Sequence, residues 1–217
     1  EITMKINHHP DDSTLMSYAA GSLSEPLSAV VAAHIELCPQ CTQEVHIMER
    51  IGAALFERLD ASPISPSAQQ SCCEATDRPA SRARQAGEDH DHASALTKIL
   101  GRELADVHWK RLGFGIWHYP LKLSPGCKGD LRLIKVAPGQ VMPEHGHGGS
   151  ELTLILSGAY TDEFGNYNVG DLSDLGDDVE HRPVSDPLEG CICLIASESK
   201  ARFKNIVARI IQPLTGF

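Results

Sequence analysis

Hydrophobic positions follow three different patterns along this chain of 217 residues. In residues 1–60 they recur every three or four positions, which predicts helices. Residues 61–92 contain few large apolar side chains, several prolines and many small polar residues, which predicts a flexible linker. Residues 93–217 contain short β-branched or alternating runs, which predict strands. We therefore expect an α + β protein of two domains: a helical domain at 1–92, with the linker at about 61–92, and an all-β domain at 93–217.

Two short helices are predicted before residue 38. The first begins at residues 11–13, where aspartate and serine are good N-caps, and Gly21 ends it. The second has Ser24 as its N-cap and Pro26 in its first turn, where a proline fits without breaking hydrogen bonds.

A third helix is predicted from Pro39 to Leu59. Proline disfavours helical geometry in the residue before it but fits the first turn of a new helix, so Cys38-Pro39 marks the junction. We expect the apolar stripe of this helix to be buried. The stripe consists of Val45, Met48, Ile51, Gly52, Leu55 and Leu59.

The strand-like runs lie close together, separated by turn signals such as Pro-Gly and Phe-Gly-Asn. Many short strands at close spacing predict a sandwich or a barrel. The runs are residues 109–123, 130–139, 151–158, 165–172, 190–197 and 205–214.

Charge is distributed unevenly. The net charge is −10, and residues 1–60 contribute nine acidic against three basic residues. Such a surface repels phosphate backbones and favours a basic protein partner, which argues against direct DNA binding. The alternative is that the acidic residues only keep a small domain soluble. We find neither an apolar stretch of ~18 residues nor a secretory signal, so we expect a cytoplasmic protein without a membrane helix.

Three soft ligands lie close together in the helical part. His34 and Cys38 are four residues apart and Cys41 is three further on, so all three can project from one face across a helix end. Imidazole and thiolate are the ligands that Zn²⁺ prefers, and a structural site needs four. We expect the fourth upstream, at His9 in preference to His8. The alternative is a pair of partly buried thiols beside a surface histidine.

This arrangement of His9, His34, Cys38 and Cys41 within short acidic helices resembles the zinc-binding anti-sigma domain. Members of that family bind and inhibit group IV (extracytoplasmic-function) sigma factors. The resemblance implies such a sigma factor as the partner of the helical domain.

A second motif lies in the β part. From Gly139 to Gly158 the chain has the spacing G-x5-H-x-H-x3-E-x6-G, with His145, His147 and Glu151 at the fixed polar positions. It resembles the first cupin motif, which implies a double-stranded β-helix barrel with a metal inside. His145 and His147 alternate on one strand and face one side.

The second cupin motif is present only in degraded form. Gly170 and His181 match it, but residues 174–176 lack the expected proline and Ser185 replaces the asparagine. We carry over His181 as the fourth metal ligand of the cupin site. Cys191 and Cys193 alternate on a nearby run, which favours buried core over a redox pair at the metal.

Both halves in this order resemble the ChrR type of zinc-binding anti-sigma factors. The resemblance implies two Zn²⁺ sites, one-to-one inhibition of a group IV sigma factor, and release under singlet oxygen or oxidative stress that requires the cupin. It implies no enzymatic activity. Two alternatives remain: a metal-dependent cupin dioxygenase or isomerase with an accessory zinc domain, and a thiol switch in which Cys38 and Cys41 form a disulfide that ejects zinc.

Overall fold

The computed structural model describes residues 5–63, 65–77, 104–146, 148–177, 179–198 and 202–203. Helices occupy the N-terminal part and antiparallel strands the rest, which confirms the predicted α + β architecture. Among the helices in these ranges, none combines the length and apolar character needed to cross a bilayer. The helices are α1 (Asp12–Ala19), α2 (Glu25–Leu37), α3 (Pro39–Phe56) and α4 (Pro66–Asp77), followed by a 3₁₀ turn at Leu104–Asp106.

The first three helices begin where local signals predict. Asp11 and Ser24 are extended residues at the N-cap positions of α1 and α2, although neither side chain forms a capping hydrogen bond. Gly21 follows α1 with a φ of 67°, a conformation that favours glycine. Cys38 is extended between α2 and α3 with φ −113° and ψ 99°, as expected for a residue before proline.

The predicted burial of the α3 stripe is wrong for most of its length. Val45 is buried and Met48 half-buried, but Ile51, Leu55 and Leu59 are 56%, 60% and 69% exposed. Helix α2 has 13 residues and α3 has 18, lengths of about 20 Å and 27 Å at 1.5 Å per residue. The C-terminal part of α3 therefore extends past its neighbour, and its apolar side chains are left exposed among the residues that the structure describes.

Helix α4 lies inside the stretch that we interpret as a linker. The side chains that the structure describes in it are exposed. Part of this stretch is therefore a solvated helix, and residues 78–92 lie outside the described residues.

The β part forms two sheets. The larger has the order β1-β2-β3-β10-β5-β6, with β7 and β9 also paired to β5, and the smaller has the order β11-β4-β8. The strands are β1 (Lys110–Gly113), β2 (Ile116–Pro120), β3 (Asp130–Val136), β4 (His145–Gly146), β5 (Glu151–Thr161), β6 (Asn166–Asn168), β7 (Leu172–Leu175), β8 (Glu180–His181), β9 (Val184–Ser185), β10 (Cys191–Ser197) and β11 (Arg202–Phe203).

Strand β5 changes its hydrogen-bonded partner strands along its length. Its first half pairs with β7 and β10 and its second half with β6 and β9. Gly158, at the change of partners, has a φ of 68°, and a Cβ there would lie 2.1 Å from the carbonyl oxygen of Gly190. Only glycine permits this close approach of β5 to the turn before β10.

The strand predictions hold with two differences. The first run, residues 109–123, forms a hairpin of two strands, because a turn with Gly115 at φ 70° divides it. Strands β7, β8 and β9 have only two to four residues, which is too short for an alternation of apolar and polar residues to reveal them in the sequence. The run at 205–214 lies outside the described residues.

The central strands β3, β5 and β10 of the larger sheet are buried on both faces for most of their length. Leu133, Leu154 and Leu194 face the helices and share one core with Val30 and Val31 of α2. The residues next to them in sequence point into the barrel, where the second core consists of Ile134, Val136, Ile155, Tyr160, Tyr167, Cys191 and Cys193. Helix α2 contacts β3, β5 and β10. The two halves of the chain are therefore in direct contact, in addition to their covalent connection.

Candidate metal centre

Four side chains from the helical part converge on one point. The candidate ligand atoms of His9, His34, Cys38 and Cys41 all lie within 4.8 Å of one another. His9 lies in the extended segment before α1, His34 in the last turn of α2, Cys38 at the junction and Cys41 in the first turn of α3. Helix α3 begins directly after the extended Cys38, so the chain turns there and both cysteines lie close to His34 at the end of α2.

The separations fit a tetrahedral zinc centre. Nδ1 of His9 lies 3.4 Å from Sγ of Cys38 and 3.3 Å from Sγ of Cys41, and Nε2 of His34 lies 3.4 Å from the same Cys41 sulfur. Zn–S and Zn–N bonds of about 2.3 and 2.0 Å at tetrahedral angles give N···S separations of about 3.5 Å. Two imidazoles and two thiols are also a donor set that zinc prefers.

A hydrogen bond from the cupin half fixes the tautomer of His34. Its Nδ1 lies 3.0 Å from the carbonyl oxygen of Gly170. A carbonyl oxygen only accepts, so Nδ1 carries the proton and Nε2, which faces Cys41, presents its lone pair. This is the arrangement of a metal-binding histidine with an outer hydrogen-bond partner.

Burial disfavours the charged forms of His34 and Cys41. His34 is fully buried, which lowers its pKa to about 4. Burial, with the Cys38 thiol as a further cause, raises the pKa of Cys41 to about 12. A metal ion supplies the positive charge that stabilises thiolates, so metal binding at this centre should release protons.

His8 and His9 have different environments. The ring of His8 lies over Tyr167 of the cupin half, with ring centroids 4.3 Å apart, whereas His9 faces the cysteines. Adjacent residues of an extended segment point to opposite sides, so only one of the two can face the cluster.

The structure brings together part of the predicted cupin set. His145 of β4 pairs in register with His181 of β8, and Glu151 and His181 are both buried. Nδ1–H of His181 donates to Oδ2 of Asp162 at 3.0 Å, so Nε2 is the atom able to take a metal. His147 and the side chain of His145 lie outside the described residues.

Cys191 and Cys193 are buried in the barrel core on β10, as the sequence favours. A hydrogen bond with Cys191, burial and the nearby charge of Glu151 raise the pKa of Cys193. Cys193 therefore stays a protonated thiol in this environment.

Two residues around these sites escaped sequence analysis: Asp162 and Asp171. Gly170 stands out in the sequence only through the degraded second cupin motif. The two aspartates have no signal in the sequence, since each acts on a partner that folding brings close.

Comparisons with known proteins agree across both halves. The family described as the ChrR cupin-like domain matches residues 99–201. The anti-sigma-E factor ChrR of Cereibacter sphaeroides is 36% identical over 211 residues, 97% of this chain and 98% of that protein. The crystal structure of Rhodobacter sphaeroides SigE in complex with the anti-sigma ChrR has a TM-score of 0.75 at 36% identity, covering 89% of this chain and 99% of that chain.

These matches confirm the resemblance predicted from the two motifs, and they extend beyond the motifs to the order of the domains. They favour a regulator of transcription over the alternative of a cupin enzyme, because the relative that covers almost the whole chain is an anti-sigma factor. This chain belongs to the ChrR family of anti-sigma factors.

Proposed function

We propose that this protein binds a group IV (extracytoplasmic-function) sigma factor one to one, inhibits it, and releases it under singlet oxygen or oxidative stress. It acts in the cytoplasm without contacting nucleic acid. Residues 1–92 carry the binding and residues 93–217 the sensing. The proposal is supported by the relative named as an anti-sigma-E factor and by the similar chain that was crystallised with SigE.

The observation that carries the proposal is the uncovered apolar surface of α3. Ile47, Ile51, Leu55 and Phe56 of α3, and Leu59 in the turn after it, are between 48% and 75% exposed, and no described residue covers them. Exposed apolar residues grouped on one helix mark an interaction surface, and the acidic residues of the first 60 positions suit a basic rim on the partner. We call these five residues the α3 surface.

Substitution within the α3 surface tests the proposal. Phe56→Ser removes an exposed aromatic side chain there, and Phe114→Ser removes a somewhat more exposed one in the cupin half. Buried aromatic anchors at interfaces contribute about 2 kcal/mol or more. We therefore expect Phe56→Ser to weaken binding of the full chain to its cognate sigma factor at least tenfold in a calorimetric titration. Equal affinities of the two variants would contradict the assignment of the surface.

We further propose that both sites hold Zn²⁺. In the helical part the ligands are His9, His34, Cys38 and Cys41, and in the cupin part His145, His147, Glu151 and His181. Zinc would cross-link a helical unit with a small core and would give the cupin a centre that responds to the signal. Native mass spectrometry should count two zinc ions in the unaltered chain and one in Glu151→Ala.

The cupin centre is proposed as the sensor. Glu151→Ala and His147→Ala should keep inhibition in a sigma-dependent reporter assay but lose most of the response to singlet oxygen, because a signal releases sigma only through the site that it modifies. A full response from folded variants that lack the cupin metal would move the sensor to Cys38 and Cys41. Burial of these two cysteines argues against direct oxidation.

A further inference from the structure

The turn between β6 and β7 contains a buried carboxylate that holds the N-terminal segment. Asp171 is fully buried. Its Oδ1 accepts hydrogen bonds from the backbone amides of Asn7 at 2.6 Å and His8 at 3.0 Å, and its Oδ2 accepts one from the amide of Asn168 at 2.8 Å. A buried carboxylate is tolerated only with such partners. Two of its three donors are thus supplied by the helical half of the chain.

The same segment is held from its carbonyl side and by its ring. The amide of Leu172 donates to the carbonyl oxygen of His8 at 3.1 Å. The His8 ring lies over Tyr167, and a Cβ on Gly165 would be 3.1 Å from that ring. The residue next in sequence, His9, therefore has a backbone position set by the cupin.

The second histidine of the metal centre is held from the same turn. Nδ1–H of His34 donates to the carbonyl oxygen of Gly170, the residue before Asp171, in a buried environment. The two cysteines, by contrast, are positioned by the α2–α3 junction, where the Thr42 hydroxyl donates to the carbonyl of Cys38 at 2.9 Å. The cupin thus orients the imidazole of His34 and sets the backbone position of the residue before His9, and the α2–α3 junction positions both thiols.

We propose that the β6–β7 turn of the cupin, through Gly170 and Asp171, is the positioning shell of the N-terminal metal centre, so that metal binding and docking of the helices on the cupin stabilise each other. The inference rests on the proposed zinc centre. Linkage is reciprocal, so complete loss of docking weakens zinc binding by the same factor by which complete loss of zinc weakens docking. Loss of an outer partner of a metal ligand costs about 10- to 100-fold in metal affinity.

A conservative pair of variants tests the positioning role in the full chain. Asp171→Asn keeps the shape of the side chain but replaces one acceptor oxygen with an NH₂ group, which cannot accept a hydrogen bond from a backbone amide. Asp186→Asn is the matched control, because Oδ1 of Asp186 also accepts two backbone amides, those of Leu188 and Glu189 at 2.8 Å each, within its own turn. In competition with a chromophoric zinc chelator we expect the N-terminal zinc of Asp171→Asn to be held about 10- to 100-fold less tightly, and that of Asp186→Asn as in the unaltered chain.

Hydrogen exchange on the unaltered chain tests the reverse effect, that of zinc loss on docking of the helices. This experiment does not depend on whether a variant folds. Removal of zinc by a chelator should speed exchange of the Leu172 amide, whose acceptor is His8. The Gly170 amide is an internal control, because it donates to Ile155 within the cupin at 2.9 Å and should keep its protection.

The outcomes separate this inference from the proposed centre. If the unaltered chain binds no zinc at the four helical ligands, the centre is wrong and the inference falls with it. If zinc is bound, equal retention by Asp171→Asn and Asp186→Asn, or unchanged protection of Leu172 after zinc removal, overturns the inference alone. Should Asp171→Asn fail to fold, the exchange experiment decides.

Discussion

Helices α2 and α3 are neighbours with similar apolar patterns and different surroundings. In α2 the apolar residues Leu27, Val30 and Val31 are at most 2% exposed, because α3 packs on one side and the sheet on the other. In α3 only the first turns are buried, and Ile51 and Leu55 are more than half exposed. The difference shows that the same pattern forms core where a partner lies within the chain and leaves an apolar surface where no described residue covers it. We propose that this second use is recognition.

The metal centre joins the two helices, so its loss should have the largest effect. Cys41→Ser removes a thiolate at the start of α3 and should destabilise the helical part by on the order of 5 kcal/mol, since structural zinc supplies folding free energy. Zinc content by mass spectrometry and thermal unfolding measure this. Cys72→Ser, at an exposed position of α4, is the control and should retain zinc and stability. Equal melting temperatures would show that the helices pair without the metal.

The burial of His34 on α2 should make the stability of the zinc-free chain depend on pH. Its pKa is lowered from 6.5 to about 4 by burial, so between these values the unfolded chain binds a proton that the folded chain does not. Stability is complete above pH 6.5 and falls by about 1.4 kcal/mol per pH unit as the pH is lowered toward 4. Urea unfolding at pH 7 and pH 5 should show a smaller difference for His34→Gln. An identical difference would mean that other groups cause the dependence.

Shortening a buried side chain of α2 should lower the stability of the protein. Val31→Ala removes two methyl groups from the core that α2 shares with the sheet, which should lower the free energy of unfolding by about 2 kcal/mol. Chemical denaturation measures the change. A loss confined to the helical signals, with the cupin unaffected, would indicate that the shared core does not unfold as one unit.

The corresponding truncation on the exposed side should have the smallest effect on stability. Ile51→Ala should change the free energy of unfolding by no more than about 0.5 kcal/mol, as expected for an exposed position. Its affinity for the sigma factor should nevertheless fall. A large loss of stability would mean that the α3 surface is covered within the free protein, which would remove the contrast with α2.

Local signals in the sequence predict the helix ends and bring three of the candidate metal ligands to attention. Pro39 and the residue before it determine the α2–α3 junction, and this junction brings Cys38 and Cys41 close to His34. The burial of each stripe could not be predicted, because it depends on helix lengths and on packing between the two halves. Asp171 could not be recognised for a similar reason, since its donors at residues 7 and 8 are 164 and 163 positions away.

The hydrogen bond between His34 and Gly170 spans 136 positions of the sequence. At about 5–20 residues per second, a ribosome adds Gly170 roughly 7–27 s after His34. All four candidate metal ligands of the helical part are therefore made well before the carbonyl that orients one of them. During synthesis, and in any product truncated before residue 170, water must take the place of that carbonyl. A chain with a complete cupin can therefore form the hydrogen bond between His34 and Gly170, and an unfinished chain cannot.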